Sequence, residues 1–164
     1  MEALSIRRTT EDDLRWIEEI YRCAVERKQT AHTLPPSDVY WRNWLQLHHD
    51  KYPSFVLEFE SRVIGFASIS PYREGRQAFD RVAEISYYLH PDHQRKGYGT
   101  FFVSNVIGAA KDLGISYLVA ILLGSNSASQ NLLFKFGFEK RGELPGIANF
   151  GEMTDNHVYL GKKI

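Results

Sequence analysis

Nothing in this chain constrains its fold more than the stretch from residue 81 to residue 122. A β-type run over 81–89 leads through a polar loop, 90–96, into a helical pattern over 97–112. Gly114 then stands where a left-handed helix stop is expected, and a second β-type run fills 115–122. The junction between strand and helix is Gln94-Arg95-Lys96-Gly97-Tyr98-Gly99. The first N–H groups of a helix have no intrahelical acceptor, and the helix dipole places partial positive charge on them. Gly97 and Gly99 carry no Cβ, so a phosphate can come close to the backbone. Arg95 and Lys96 add local charge to a chain in which 20 Lys and Arg balance 20 Asp and Glu. With no global field to draw it to nucleic acid or an anionic membrane, any anion recognition must be local; taken alone, the same glycines and basic residues are equally a solvated helix cap. The junction is not a Walker A, since no Gly-Lys-Ser/Thr follows, and its spacing is not that of a dinucleotide fingerprint. Tyr98, Phe101, Phe102, Asn105, Val106 and Ala109 supply the expected packing pattern of the helix.

The flanking sequence supplies the layers around this unit. Leu4 to Arg8 is a short strand candidate, followed by Thr10 as N-cap with Asp13 three residues on. Leu14, Ile17, Ile20 or Tyr21, and Ala24 recur at helical spacing, which predicts an amphipathic helix over 11–27. After a loop over 28–36, Ser37 can cap a second helix with Tyr40, Trp41, Trp44 and Leu45 on its apolar face. From Pro53 the period shortens: Phe55–Phe59 and Val63–Ile69, separated by Glu60-Ser61-Arg62, predict a hairpin, with Gly65 marking a bulge. Residues 71–80 are a polar loop. Ser125 or Asn126 can cap a last helix that ends at Gly137, and Phe138–Arg141 and His157–Leu160 are the remaining strand candidates. The whole, 1–164, is expected to be one mixed α/β domain.

Two motifs in this order carry a family resemblance. Gln94-x-x-Gly97-x-Gly99 after a strand ending Tyr88-Leu89 resembles the acetyl-CoA motif of the GCN5-related N-acetyltransferase (GNAT) superfamily. Asn126-x-x-Ser129 followed by Leu132-Leu133-Phe134-Lys135-Phe136-Gly137-Phe138 is similar to its second signature. Within the superfamily the chain most resembles the phosphinothricin and methionine-sulfone acetyltransferase branch. The shared marks are Ile6-Arg7 before Asp12-Asp13-Leu14, Gly65-Phe66-Ala67, Ala83-Glu84, and Asn149-Phe150-Gly151 with Asp155. The resemblance implies a mostly antiparallel central sheet, splayed at the cofactor and flanked by about four helices. It implies acetyl-CoA as cosubstrate, with its pyrophosphate on the amides of residues 95–100: Arg95, Lys96, Gly97, Tyr98, Gly99 and Thr100. The main chain of Tyr88 and Leu89 would pair with the pantetheine arm, and Asn126 would contact that arm further along. A homodimer is implied as well.

Acetyl transfer needs a deprotonated amine, a polarised thioester carbonyl and an exit for the thiolate. Residues two apart share a strand face, so Val82, Glu84, Ser86 and Tyr88 line up. Glu84 is then a carboxylate shortly before the cofactor loop, placed to take the amine proton; the competing reading is an edge glutamate in solvent or paired with Arg81. By resemblance, Glu84 is the general base. The main-chain N–H near Leu89 is a candidate for polarising the carbonyl. Leu133 stands where many superfamily members have Tyr and the branch often has His, so no proton donor for the thiol is supplied there; Tyr87, Tyr88 and Tyr159 are possible substitutes. The acceptor pocket is expected from 28–41, with Thr30, His32, Thr33 and Tyr40, and from 71–79, where Arg73 or Arg76 can clamp a carboxylate or merely be solvated. Met153 replaces an expected aromatic.

The expected acceptor is a small amino-acid-like primary amine. The alternatives are a protein N-terminus or lysine, a longer acyl donor, and a catalytically silent acetyl-CoA binder. A peptide acceptor calls for an open groove between the 28–36 and 142–154 loops. Cys23 is the only cysteine, which excludes an internal disulfide and lies far from the motifs. The six histidines show no metal-ligand spacing, so no metal is expected. Met1-Glu2-Ala3-Leu4-Ser5 lacks the pattern of a signal peptide, no apolar run is long enough for a membrane span, and a cytoplasmic protein is expected.

Overall fold

A computed structural model describes residues 4–164. The reading of Met1–Ala3 lies outside the described residues. The chain order is β1 (Leu4–Arg8), α1 (Leu14–Glu26), α2 (Asp38–Leu47), β2 (Ser54–Phe59), β3 (Arg62–Pro71), β4 (Val82–Leu89), α3 (Tyr98–Asp112), β5 (Tyr117–Leu123), α4 (Ser127–Lys135), β6 (Glu139–Asn149) and β7 (Thr154–Lys163). The strands form one seven-stranded sheet in the order β1-β2-β3-β4-β5-β7-β6. Every pairing is antiparallel except that of β4 with β5.

Local chemistry sets most boundaries. Asp13 accepts from the Thr10 N–H at 2.8 Å and from both terminal nitrogens of Arg7 at 2.7 and 2.8 Å, which fixes the entry to α1. Ser37 caps α2 by accepting from the Tyr40 N–H. Glu60 and Ser61 both adopt positive φ, the twist a tight hairpin turn demands. The bulge falls at Gly65 as expected: Leu57 pairs with Gly65 but Glu58 with Val63. A Cβ on Gly65 would lie 2.9 Å from the Tyr88 carbonyl oxygen, so glycine lets β3 and β4 close here.

Alternation divides the core between the two sheet faces. Ile17, Ile20, Tyr21, Val25 and Trp41 pack on Val56, Val63 and Phe66. On the other face Phe102, Val103, Val106, Ile107 and Ala110 of α3 meet Leu57, Ile64, Ala67, Ile69, Ala83, Ile85 and Leu118. Burial of a side chain such as Phe102 contributes about 2–3 kcal/mol. The buried face of α3 is rotated from the one expected: Phe102 and Val106 belong to it, but Phe101 and Asn105 are exposed and Ala109 only half-buried. Asn105 instead donates to the Phe101 carbonyl at 2.8 Å.

The C-terminal end corrects the reading most. Segment 142–154 is not a loop: β6 and β7 form a long hairpin arm, with register breaks between Lys140 and Gly142 and between Leu144 and Ala148. Glycine and proline at those breaks gave the segment its loop-like look. The arm matters little for the cofactor side, which is governed by β4 and β5. These strands pair only at Val82–Tyr117, Ala83–Leu118 and Glu84–Val119, after which β5 continues along β7 while β4 remains on β3. The sheet therefore opens beyond Glu84. Among the described residues no helix is long and apolar enough to cross a membrane.

Candidate active site

The opening between β4 and β5 holds a cavity of about 260 Å³. Its walls come from β4 (Glu84, Ser86, Tyr87, Tyr88), from β5 and α4 (Leu122, Asn126, Ser129, Leu133), and from the segment after α1 (Thr30, His32). Main-chain direction follows from two contacts. The His90 N–H donates to the Ile64 carbonyl and the Tyr72 N–H to the Val82 carbonyl, so even-numbered residues of β4 spend their main-chain groups on β3. Those of Tyr87 and Leu89, beyond the last pairing with β5, are directed toward the opening. The expected main-chain pairing at Leu89 thus has a free edge to use, whereas that of Tyr88 is turned to β3.

Beyond the edge lies the junction. A short turn over Pro91–His93 is closed by the Gln94 N–H on the Pro91 carbonyl at 3.2 Å. The Gln94 side chain donates to the Leu89 carbonyl at 3.1 Å, tying the loop to the end of β4. Arg95 at φ 61° and Gly97 at φ 83° turn the chain into α3. From Arg95 to Thr100, none of the main-chain N–H groups donates to an acceptor among the described residues; the helix ladder begins with Phe101 on Gly97 at 3.2 Å. The result is a run of donors at the positive end of a 15-residue helix. Arg95 and Lys96 are exposed beside it, and neither forms an ion pair among the described residues.

At the junction Gly99 differs from its expected use, while the Tyr98 side chain packs as expected. A Cβ on Gly99 would stand 3.3 Å from Leu89 Cδ1 and Leu132 Cδ2, so this glycine serves close packing rather than phosphate approach. Around Gly97, by contrast, the space is open. The Tyr98 ring turns inward, stacked on His93 at 6.3 Å and packed on Phe59 at 5.4 Å.

Glu84 projects into the cavity half-buried, and no hydrogen bond or ion pair engages its carboxylate among the described residues. Burial pushes its pKa up from the usual carboxylate range. The Arg81 pairing does not form: the Arg81 Nε–H goes to the Gly114 carbonyl at 2.9 Å. On the same side of β4, Tyr21 shares short hydrogen bonds with Thr30 Oγ1 and His32 Nδ1, each 2.5 Å. Tyr88 stands beside this network. Its ring stacks on Phe66 at 5.1 Å and meets the edge of Tyr21 at 5.0 Å. Burial raises the pKa of both phenols, so both stay protonated. The arrangement puts an unpaired carboxylate beside an aromatic, hydrogen-bonded wall, a setting in which it can accept a proton.

Asn126 lines the cavity and caps α4, its side chain accepting from the Ser129 N–H at 3.3 Å. Leu133 is 1% exposed and closes the same wall with carbon only. Arg73 and Arg76 are exposed and do not line the cavity, so the clamp expected of them is not formed. Asp155 pins the entry to α4 instead, accepting from the Ser125 N–H at 3.2 Å and hydroxyl at 2.5 Å. The sequence reading missed Tyr21 and His157 as cavity residues. Tyr21 falls on the helical apolar stripe and looked like plain core. His157 arrives through the Leu123–His157 register of β5 on β7, a long-range pairing without local signal.

Known proteins share this architecture. The profile of the acetyltransferase (GNAT) domain family matches residues 3–139. The Bacillus subtilis protein YwnH, which carries the provisional name of a phosphinothricin acetyltransferase, is 29% identical over 163 residues, 98% of this chain and 99% of its own. An L-methionine sulfoximine/L-methionine sulfone acetyltransferase of Pseudomonas aeruginosa is 30% identical over 155 residues, covering 92% of this chain and 90% of the relative. The crystal structure of a GNAT superfamily phosphinothricin acetyltransferase from Sinorhizobium meliloti in complex with acetyl-CoA superposes with a TM-score of 0.91 at 28% identity, covering 98% of this chain and 88% of that one. With the family profile spanning most of its length and relatives aligned almost end to end, the chain belongs to the GNAT family and is an acetyl-CoA-dependent N-acetyltransferase.

Proposed function

We propose that the protein, acting as one domain over 1–164, acetylates the primary amine of a small amino-acid-like acceptor by direct attack on acetyl-CoA. The pyrophosphate rests on the free amides of residues 95–100, where the Arg95 and Lys96 side chains add charge. The pantetheine arm runs as a pseudo-strand along the open main-chain edge of β4, past Asn126. Glu84 takes the ammonium proton, and the nitrogen attacks the carbonyl carbon while the Leu89 N–H polarises the carbonyl oxygen. The observation that carries this reading is the unpaired, half-buried carboxylate of Glu84 inside the gap between β4 and β5.

The size of the cavity favours a small acceptor over a peptide. The 29–32 segment forms part of its wall through the Tyr21–Thr30–His32 contacts, and residues 142–154 are built into the hairpin arm instead of flanking an open groove. The named activities of the relatives, on methionine sulfone, methionine sulfoximine and phosphinothricin, point to acceptors of the same chemistry. A homodimer fits the exposed Leu144, Ile147 and Met153 on the arm, and a lone cysteine fits a reducing, cytoplasmic setting. The test is a direct assay of CoA release with a panel of amino-acid analogues and N-terminal peptides. Turnover on the analogues and none on peptides is expected; the reverse pattern would overturn the acceptor assignment.

A further inference from the structure

Acetyl transfer leaves a thiolate, and the wall around a departing sulfur needs a donor. Adjacent residues of a strand point to opposite faces, and here two adjacent tyrosines divide the cavity. Tyr88 packs against Tyr21 and Phe66 on the α1 side. Tyr87 packs with the core on the α3 side and reaches α4, where its hydroxyl donates to the Ser129 carbonyl over a long 3.4 Å. That contact is weak, so the hydroxyl is poorly spent. Ser129 and Leu133 lie one turn apart on α4, both in the cavity wall, and Leu133 offers no hydrogen. Tyr159 is not part of the wall.

Resting on the acetyl-transfer reading above, we infer that Tyr87 is a catalytic residue whose hydroxyl swings from the Ser129 carbonyl to the CoA sulfur and stabilises the thiolate as it leaves. The nitrogen lone pair forms the C–N bond, and the carbonyl electron pair moves to oxygen and returns. The C–S bond then breaks with both its electrons on sulfur, which accepts the Tyr87 hydrogen bond. Glu84 passes the first ammonium proton to solvent and then takes the second N–H proton as the intermediate collapses to the amide; the thiolate is later protonated from solvent. Burial pushes the Tyr87 phenol up to about 12, so it keeps its proton and acts as a hydrogen-bond donor. Tyr87 and Tyr88 thus assign the two halves of the cavity, the thiol to the α4 side and the amine to the α1 side.

The thiol pKa of CoA bound to the protein, read by ultraviolet thiolate absorbance during a pH titration, tests this without turnover. Tyr87→Phe should raise it by about one unit while the CoA dissociation constant changes little. Tyr87→Phe should also lower kcat roughly tenfold, the value of one lost hydrogen bond to a developing charge. A fluorinated tyrosine at position 87, a stronger donor, should shift the bound-thiol pKa downward, a readout independent of how well the phenylalanine variant packs. An unchanged thiol pKa in both variants would overturn the assignment even if kcat fell. Failure of CoA to bind the wild-type protein would instead overturn the functional reading on which it rests.

Discussion

Burial of Glu84 beside the opening moves its carboxyl toward the protonated form, and this has two consequences of opposite sign. As a base it must be ionised, so kcat/KM should climb as pH rises through its elevated pKa. Glu84→Gln should cost about 10²–10⁴ in kcat/KM at neutral pH, the usual range for a positioned base. The loss should shrink near the pKa of the acceptor amine, where the nucleophile is already free; a pH–rate profile of both proteins checks this. For stability the sign reverses. A carboxyl whose folded pKa exceeds its unfolded value binds more protons when folded, so stability falls as pH rises from the ordinary carboxylate range through the raised value. Glu84→Gln should therefore melt higher than wild type at neutral pH and lose that advantage under acid conditions, as thermal denaturation at a series of pH values would show. The identity of this carboxylate was legible from strand alternation and its place before the glycine loop. Thr30 and His32 were legible as pocket residues too, but Tyr21 was not: it meets them only because the loop after α1 folds back over β4.

Elements explain the remainder of the site. The strand–loop–helix junction could be located from sequence because its signals are local: glycines, basic residues and a change of period. The long β6–β7 hairpin was lost because its pairing is decided by β5, far away in sequence, while its glycines and Pro145 look like loop. At the junction, Gly97 faces open space at φ 83°, so its requirement is conformational before any ligand arrives. Gly97→Val should cost about 1–2 kcal/mol of stability through the left-handed strain alone. Gly97→Asn, which tolerates that conformation, should fold nearly as wild type. Both should weaken CoA binding in calorimetry, because each fills the space through which a phosphate approaches; wild-type affinity in the asparagine variant would remove the phosphate from this turn. Hydrogen exchange offers a second check on the elements. Acetyl-CoA should protect the amides of Tyr87 and Leu89 together with those of 95–100. Tyr88 and His90, already facing β3, should change little.

At the scale of the whole molecule, the opening between β4 and β5 is a defect in an otherwise continuous sheet, and under the proposed reading the cofactor completes it. Only the Val82–Glu84 segment of β4 holds the two halves of the sheet together by strand pairing. A ligand bridging them at 95–100, along the β4 edge and at Asn126 joins parts that the fold leaves weakly connected. CoA at one hundred times its dissociation constant adds about 2.7 kcal/mol to unfolding by mass action. For a chain of this size that amounts to a rise in melting temperature of roughly 5–10 °C. The adenosine-phosphate portion alone reaches only the α3 end, so it should raise the midpoint less than intact CoA at equal saturation if the arm truly spans the gap. Equal shifts would mean that the pantetheine contributes no bridge and that the opening is not its channel. Association of two chains would enter the same experiment differently, since a dimer makes the midpoint climb with protein concentration. Light scattering should then return twice the 18.9 kDa of the chain. A charged residue at the exposed Ile147 of the arm should reduce that mass to the monomer without abolishing the CoA-induced shift, which separates the interface from the cofactor site.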